Sequence, residues 1–513
     1  MSDQTPPFVH LHVHSEYSLL DGAIALHKLP PRVAELGMPA VALTDHGVMY
    51  GAIDFYQACH DAGVKPIIGC EVYVAPRTRF ERDPRKDRHA YHLVLLAQDL
   101  QGYRNLVELA SRASLEGHYY NPRVDLELLS RCHEGLIALS ACPMGEVGKR
   151  LAAGDVAGAR QHVGQYRDLF GPENYFLEIQ DHALEVERQV TPGILEIARD
   201  LDVPLVATND AHYLRREDHR YHDVLLCIGT NARVSDENRM RMETDQFHLR
   251  SPREMAELFG DYPEALSNTV AIAERCNLEL ALGELRLPRY EVPAGHDLDS
   301  FLRARCVEGV RVRYGAEPPE VMARLDYELE VIGGQNYSGY FLIVADLCQE
   351  AQRRGMLIGP GRGSATGSVV AYTLGITQLD PLEHGLIFER MLNPERKSPP
   401  DIDLDFPRSI REELILRTHK KWGWEHAALA GTISTYQIKG AVRDLGKALG
   451  LPPAEIDKVA KTVGFFEGAA ELERNLIAAL GPERAKEPRW RALLPLAAEI
   501  MGLPRHCSQH PGG

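Results

Sequence analysis

The feature that most constrains this chain is a recurrence along its first half. Seven short runs rich in Val, Ile and Leu follow one another, and four carry His, Asp or Cys at or near their C-terminal ends. The runs are FVHLHVH, AVALTDH, PIIGCEVYV, YHLVLLA, GLIALSAC, NYFLEIQ and PLVATNDAHY, separated by amphipathic stretches of helix length. Such alternation predicts an α/β sheet or barrel whose strands are covered by helices. Seven strands suit a barrel better than a dinucleotide-binding sheet, and no GxGxxG follows the first. Barrel chemistry gathers where loops leave the C-terminal ends of strands, so the polar closures are candidate site residues. His92 opens its run instead of closing it, which the pattern does not explain.

A chain of 513 residues is too long for one core and suggests three or so folding units. Its 44% hydrophobic and 25% charged residues describe an ordinary globular protein. No apolar run is long enough to span a membrane, and the N-terminus does not read as a secretory signal. The nine cysteines are scattered without a CxxC pair, which argues against disulfides and zinc fingers and fits a reducing cytoplasm, the expected location. A formal charge of −16 says little about nucleic acid, because binding follows local basic surface. Segment 76–88, with Arg77, Arg79, Arg82, Arg85, Lys86 and Arg88, reads either as such a surface or as a solvated, mobile loop.

Read as a strand, FVHLHVH turns Val9, Leu11 and Val13 one way and His10, His12 and His14 the other. Asp45, His46, Glu71, His92, Cys142, Asp210 and His212 lie in or beside the later runs. Imidazole, carboxylate and thiolate together suit zinc, manganese or iron, and closely spaced ions can activate water and clamp a phosphoester. Any single one of the 22 histidines is more simply a surface or core residue; the joint set points to metal. In this order HLHVHSEYSLLDGA, TDHG, GCEVYV, YHLVLLA, SACPMGE and NDAHYL resemble the polymerase and histidinol phosphatase (PHP) domain, in the version that begins bacterial replicative polymerases. The resemblance implies nine metal positions, at His12, His14, Asp21, His46, Glu71, His92, Cys142, Asp210 and His212, all held by residues able to ligate. It also implies Zn2+ or Mn2+, up to three ions, and metal-dependent phosphoester hydrolysis as a 3′–5′ exonuclease. His10 falls outside that set.

PPDIDLDFP places Asp401, Asp403 and Asp405 two residues apart, on one face of a strand expected over 400–406. Three like charges in a row call for divalent cations such as magnesium, as in two-metal nucleotidyl transfer; a solvated acidic edge or a calcium site is the alternative. The run GPGRGSATGS at 359–368, with Gly359, Gly361, Gly363, Gly367, Arg362, Ser364 and Ser368, either wraps phosphates with backbone amides or is a plain turn; it is not a Walker A loop. Together with FERMLNPERKSPPDIDLDFP and RDLGKALG, it resembles the palm and thumb of the bacterial DNA polymerase III alpha family.

That resemblance implies catalytic, Mg2+-binding Asp401 and Asp403, and Arg362, Gly363, Ser364 and Arg390 around the incoming triphosphate. It puts Lys439 and Arg443 against DNA on a thumb helix. The implied architecture is α/β and α+β multidomain. A PHP domain at 1–272 forms a distorted β/α barrel of about seven strands; 273–430 is the first segment of a polymerase-beta-like nucleotidyltransferase palm. A helical thumb follows at 431–510, and 511–513 begins the return to the palm. Implied partners are primer-template DNA, dNTPs, and a sliding clamp and other replisome subunits reached through regions absent here, with no membrane. The expected function is DNA-directed DNA polymerase with a nuclease in cis. The alternative is a metallo-nuclease with DNA-binding palm and thumb; an inert scaffold is the third reading. The family continues past LPRHCSQHPGG, so a chain ending there is expected to polymerise poorly or not at all.

Overall fold

The computed structural model describes residues 6–284, 286–395, 398–423, 426–464 and 468–510. They divide into two compact units, Met1–Leu280 with Thr432–Ser508, and Ala281–Gly431 with Gln509–Gly513. The expected palm return at 511–513 lies outside the described residues.

The first unit is built on a seven-stranded sheet. Its strands are β1 (Ala40–Leu43), β2 (Lys65–Val74), β3 (Tyr91–Ala97), β4 (Arg123–Val124), β5 (Leu136–Leu139), β6 (Tyr175–Ile179) and β7 (Leu205–Ala207). The order is β1-β2-β3-β5-β6-β7, with β4 beside β2. β3 runs antiparallel to both neighbours, and the other pairings are parallel. Segment 8–14, expected as a strand, makes only isolated parallel bridges, His10 to Val41 and Val13 to Ala211. Those bridges join it to both edges of the sheet, β1 on one side and the stretch after β7 on the other. The chain bends at His12, which breaks the two-residue period. Val9 and Leu11 therefore pack inside the barrel while Val13 packs outside, and the three histidines do not share one face.

Alternation holds on the strands themselves. Ala40, Ala42, Ile67, Val94, Leu96, Ile137, Leu139, Phe176 and Val206 form the inner core. Val41, Leu43, Ile68, Leu93, Leu95, Ala138, Tyr175 and Leu177 pack outward beneath the surrounding helices. Helix Pro263–Arg275 closes the end where the parallel strands begin. Its Ile272 and Ala273 enter the inner core, and Lys65, which opens β2, donates to Ala273 O at 2.7 Å. The opposite end is left for side chains of another kind.

The basic segment 76–88 is internally paired. Arg79 is buried and bonds Asp125, Glu116 and Glu127, while Arg77 bonds Asp87 and Glu81. Acids of the segment itself neutralise Arg77, and acids from outside it neutralise Arg79, so the stretch is neither a uniformly free basic face nor a simple solvated loop. Helices Ile438–Ala448, Pro453–Thr462, Leu472–Leu480 and Pro488–Ile500 pack around buried Trp490, and this cluster includes Ala25, Val224 and Cys227 of the barrel region. A two-stranded ribbon of β8 (Gly431–Thr435) and β9 (Pro504–Gln509) flanks it.

The second unit is mainly helical, with Leu298–Tyr314, Pro319–Gly334 and Ser338–Arg353 around Leu302, Phe341 and Phe388. The strand expected over 400–406 is not formed: the segment has no regular secondary structure, and no strand pairs with it among the described residues. One backbone bond, Gly359 N–H to Asp405 O at 2.9 Å, ties it to the glycine-rich run. Ile402 and Leu404 still pack on the core, so the two-residue alternation survives without a ladder. Fully buried Glu328 anchors the same run, accepting from Ser368 Oγ at 2.8 Å, Val369 N at 3.0 Å, Val370 N at 3.1 Å and Arg324 Nε at 2.8 Å. Truncating it would strand two buried amide donors at a helix start. We expect Glu328→Ala to lower whole-chain stability by about 1–3 kcal/mol in urea denaturation; an unchanged midpoint would show that these bonds contribute nothing net.

Candidate metal centre

The donors at the open end of the barrel are continuations of the inner core. Inward positions recur every second residue, and past the apolar layer they become polar: Ala42, Thr44 and His46 after β1; Ile67, Gly69 and Glu71 on β2; Val206, Thr208 and Asp210 after β7. On β3 the file reads backwards, Leu96, Val94, His92, because that strand is antiparallel, with His92 opposite Tyr73 of β2. This explains how a residue at the start of a run reaches the same end of the barrel as residues closing the others. Ala141 (φ 64°) and Asp210 (φ 41°) adopt left-handed backbone, a cost met at the point where the chain turns Cys142, Asp210 and His212 toward the centre.

The donor atoms lie close together. His12 Nε2 is 3.3 Å from both Glu71 Oε1 and Asp210 Oδ1, and His14 Nε2 is 3.1 Å from Asp210 Oδ1 and 3.7 Å from Glu71 Oε2. His46 Nδ1 is 2.5 Å from Glu71 Oε2, and its Nε2 is 3.4 Å from Asp21 Oδ1. His92 Nδ1 is 2.9 Å from Glu71 Oε1 and 3.8 Å from Cys142 Sγ. The rings of His14 and His212 are 4.5 Å apart. Three overlapping trios, His14–His46–His212, His12–His14–Glu71 and His46–Glu71–His92, each offer ligand atoms within 4.8 Å of one another. All nine expected positions thus meet in one place, while His10 turns away and bonds Arg250 O at 2.8 Å.

The residues fit a metal group. His12 Nε2, His14 Nε2, Asp21 Oδ1, His46 Nδ1, Glu71 Oε2 and Asp210 Oδ1 are buried without a hydrogen-bond partner. Buried polar atoms are rarely left so, and six together in one cluster suit a cation-binding site. The 3.3 Å separations also match the edge of a tetrahedron of ligands at ~2.0–2.2 Å.

Protons can balance the charge within this cluster. Burial alone would lower His12 and His46, but Asp210, Glu178 and Glu71 hold His12 well above its usual range, and Asp21, Tyr73 and Glu71 do so for His46. Burial likewise opposes ionisation of Glu71 and Asp210, yet the histidines around each hold both carboxyls well below theirs. Burial, with His46 and His212 beside it, drives His14 down to about 3. Burial and the carboxylates of Glu71 and Asp210 push the Cys142 thiol well up.

Several groups hold the donors in place, a role that the sequence does not mark. Asp45 accepts from Ser15 N, Ser15 Oγ and Ser18 Oγ, pinning the loop that leads to Asp21. His222 bonds Asp21 O at 2.6 Å. His182, paired with Glu187 at 2.5 Å, reaches Asn209 O beside Asp210. Glu178 bonds His12 Nδ1 at 2.7 Å; its one signal in the sequence is an acid at an inward place in NYFLEIQ.

In the second unit Arg362 pairs with Asp403 (Nη1–Oδ2 2.8 Å) and Asp405 (Nε–Oδ1 3.2 Å), so the glycine-rich run and the acidic segment are neighbours. Gly363 lies against Asp403, Ser364 leads into the 3-10 turn Ala365–Gly367, and Asp401 is exposed. Arg390 is exposed at the end of a separate turn, Phe388–Arg390. In the first unit, Lys439 is half-buried and Arg443 exposed on helix Ile438–Ala448, with Arg443 3.7 Å from Asp457.

The charge pattern sets a sign for pH dependence. Raised histidines stabilise fully below their unfolded value and lose that contribution as pH rises through the folded one; depressed carboxyls lose theirs only in acid. The ion-free chain is therefore expected to weaken above about pH 6.5, and Zn2+ or Mn2+ to reverse that slope, because ligand atoms bind metal deprotonated. Thermal melts of chelator-treated chain between about pH 6 and 9, with and without added ion, check this; a midpoint that does not fall without metal would contradict it.

Two family models match: the PHP domain over residues 10–182, and the bacterial DNA polymerase III alpha NTPase domain over residues 300–513. The chain is 44% identical to the DNA polymerase III subunit alpha of Treponema pallidum, over 99% of this chain and 43% of that protein. The same subunit of Borreliella burgdorferi is 40% identical over 99% of this chain and 44% of its own length. That of Thermus aquaticus is 38% identical over 99% and 47%. An amidohydrolase structure from Chromobacterium violaceum aligns with 40% of this chain and 87% of its own at 15% identity, with a TM-score of 0.26 that adds no weight. The chain spans less than half the length of these curated relatives. No helix among the described residues is long and apolar enough to cross a membrane. By these matches the chain belongs to the bacterial DNA polymerase III alpha family and carries that family's PHP and NTPase domains.

Proposed function

We propose that the barrel is a metal-dependent phosphoesterase that trims DNA from the 3′ end, joined in cis to a DNA-directed DNA polymerase that adds dNTPs to a primer. The observation that carries this reading is the convergence of nine donor residues with buried, unpartnered ligand atoms among them. Zn2+ or Mn2+, up to three ions, would be held by His12, His14, Asp21, His46, Glu71, His92, Cys142, Asp210 and His212. Bound there, the ions would supply Lewis-acid polarisation of the phosphoester and activation of water. Glu71 and Asp210 lie between the histidines and place two carboxylates at the shared centre. His12 and His14 are fully buried, whereas His46, His92 and Cys142 are half-buried, so the substrate phosphate approaches on that second side.

In the second unit, Asp401 and Asp403 would hold Mg2+, with Arg362, Gly363, Ser364 and Arg390 around the nucleotide triphosphate. Lys439 and Arg443 would meet DNA phosphates. The domain limits 1–272, 273–430 and 431–510 remain part of this proposal, as do a sliding clamp and other replisome partners. A second reading, that the chain by itself trims without extending, is favoured by the pairing of Arg362 with Asp403 and Asp405, which neutralises the carboxylate expected to face magnesium.

A 5′-labelled primer with a mismatched end, annealed to template with Mn2+ and all four dNTPs, separates the readings. We expect shortening that falls ~100-fold or more in Asp210→Asn, a residue that tolerates left-handed backbone. Shortening unaffected by that change would remove the barrel as the working site. Lengthening that disappears in Asp403→Ala would establish the palm and exclude the trimming-only reading.

A further inference from the structure

Glu178 is a carboxylate inside a barrel wall. It stands on β6 two residues beyond Phe176 of the inner core, 2% exposed, and its one ion-pair partner among the described residues is His12. Its Oε1 takes His12 Nδ1 at 2.7 Å, Gln180 Nε2 at 2.8 Å and the Thr208 hydroxyl. Gln180 also bonds Thr208 Oγ1 at 3.0 Å, and the Glu178 amide donates to Ser140 Oγ at 2.9 Å. A buried carboxylate is costly, and this one is met by three side chains in a geometry that serves a single imidazole nitrogen.

We propose that Glu178 is a positioning residue for the metal centre: it keeps the proton of neutral His12 on Nδ1 and leaves Nε2 bare toward Glu71 and Asp210. This rests on the metallo-phosphoesterase reading above. His12 Nε2 has no hydrogen-bond partner and lies 3.3 Å from one oxygen of each of those carboxylates, so the two ring nitrogens have separate duties. A carboxylate behind a ligating imidazole fixes ring orientation and tautomer and increases the basicity of the far nitrogen. Glu178 therefore tunes metal affinity without touching the ion or the substrate. Thr208 and Gln180 orient it in turn, which makes β6 and the stretch after β7 a brace for His12.

The test uses the whole chain, with Zn2+ or Mn2+ alone as probe, titrated against a competing chelator. Glu178→Ala should weaken binding by about 10–100-fold, and Glu178→Gln, which keeps an acceptor oxygen without the charge, by less. Phosphoesterase activity should fall with affinity and return at saturating metal, which a merely structural defect would not allow. Wild-type affinity in either soluble variant overturns the assignment, and Glu178→Gln decides alone if Glu178→Ala does not fold. Wild-type chain that takes up no metal sinks the phosphoesterase reading and this role with it. Wild-type uptake with unchanged variants sinks only the role of Glu178.

Discussion

The backbone of residues 8–14 bonds to both edges of one sheet, and the rest of the site depends on that. Ala42 N donates to His10 O and Thr44 N to Val13 O on the β1 side, while His14 N donates to Ala211 O and Ala211 N to His12 O on the other. Without those bonds β1 and the stretch after β7 would be open edges, and His12 and His14 would not stand between His46 and Asp210. With them, one seven-residue segment closes the barrel, supplies Val9 and Leu11 to its core, and delivers His12 and His14 to its mouth.

Burial then turns proximity into chemistry. Glu71, Asp210, His12 and His14 all lie below a tenth exposed, where water neither screens nor solvates them. Their charges can only be balanced by one another, by protons or by cations. Raised histidines and depressed carboxyls are the proton solution to that constraint, and divalent ions are the other. The braces behind the donors belong to the same economy, since a ligand that must not move needs its second polar atom occupied. His12 uses Glu178, His212 uses its own Asp210 carbonyl at 2.8 Å, and His14 uses Ser18 at 3.2 Å.

The donors were legible in the sequence because the inward file of each strand passes from apolar to ligand-type residues within a few positions. Pairing direction was not. An apolar run carries no mark of parallel or antiparallel neighbours, so the place of His92 waited for the register of β2 and β3. The bend at His12 was hidden in the same way, since local alternation cannot foretell that one segment must serve two distant edges. Glu178, Glu328 and Arg79 were illegible for a further reason: each is explained by partners tens of residues or more away. In the second unit the alternation around Asp401, Asp403 and Asp405 was correct for packing, but a strand also needs a neighbour, which alternation does not encode.

On the function proposed above, the open end of the barrel would hold more than one ion, with Glu71 and Asp210 each facing more than one of them. Anomalous diffraction from crystals of the chain grown with Mn2+ tests it most directly. The account predicts two or three peaks at the barrel mouth, within ~2.0–2.3 Å of donor atoms, with Glu71 and Asp210 each beside more than one peak. Peaks confined to the surface, or a single ion that leaves Glu71 or Asp210 without metal, would contradict it.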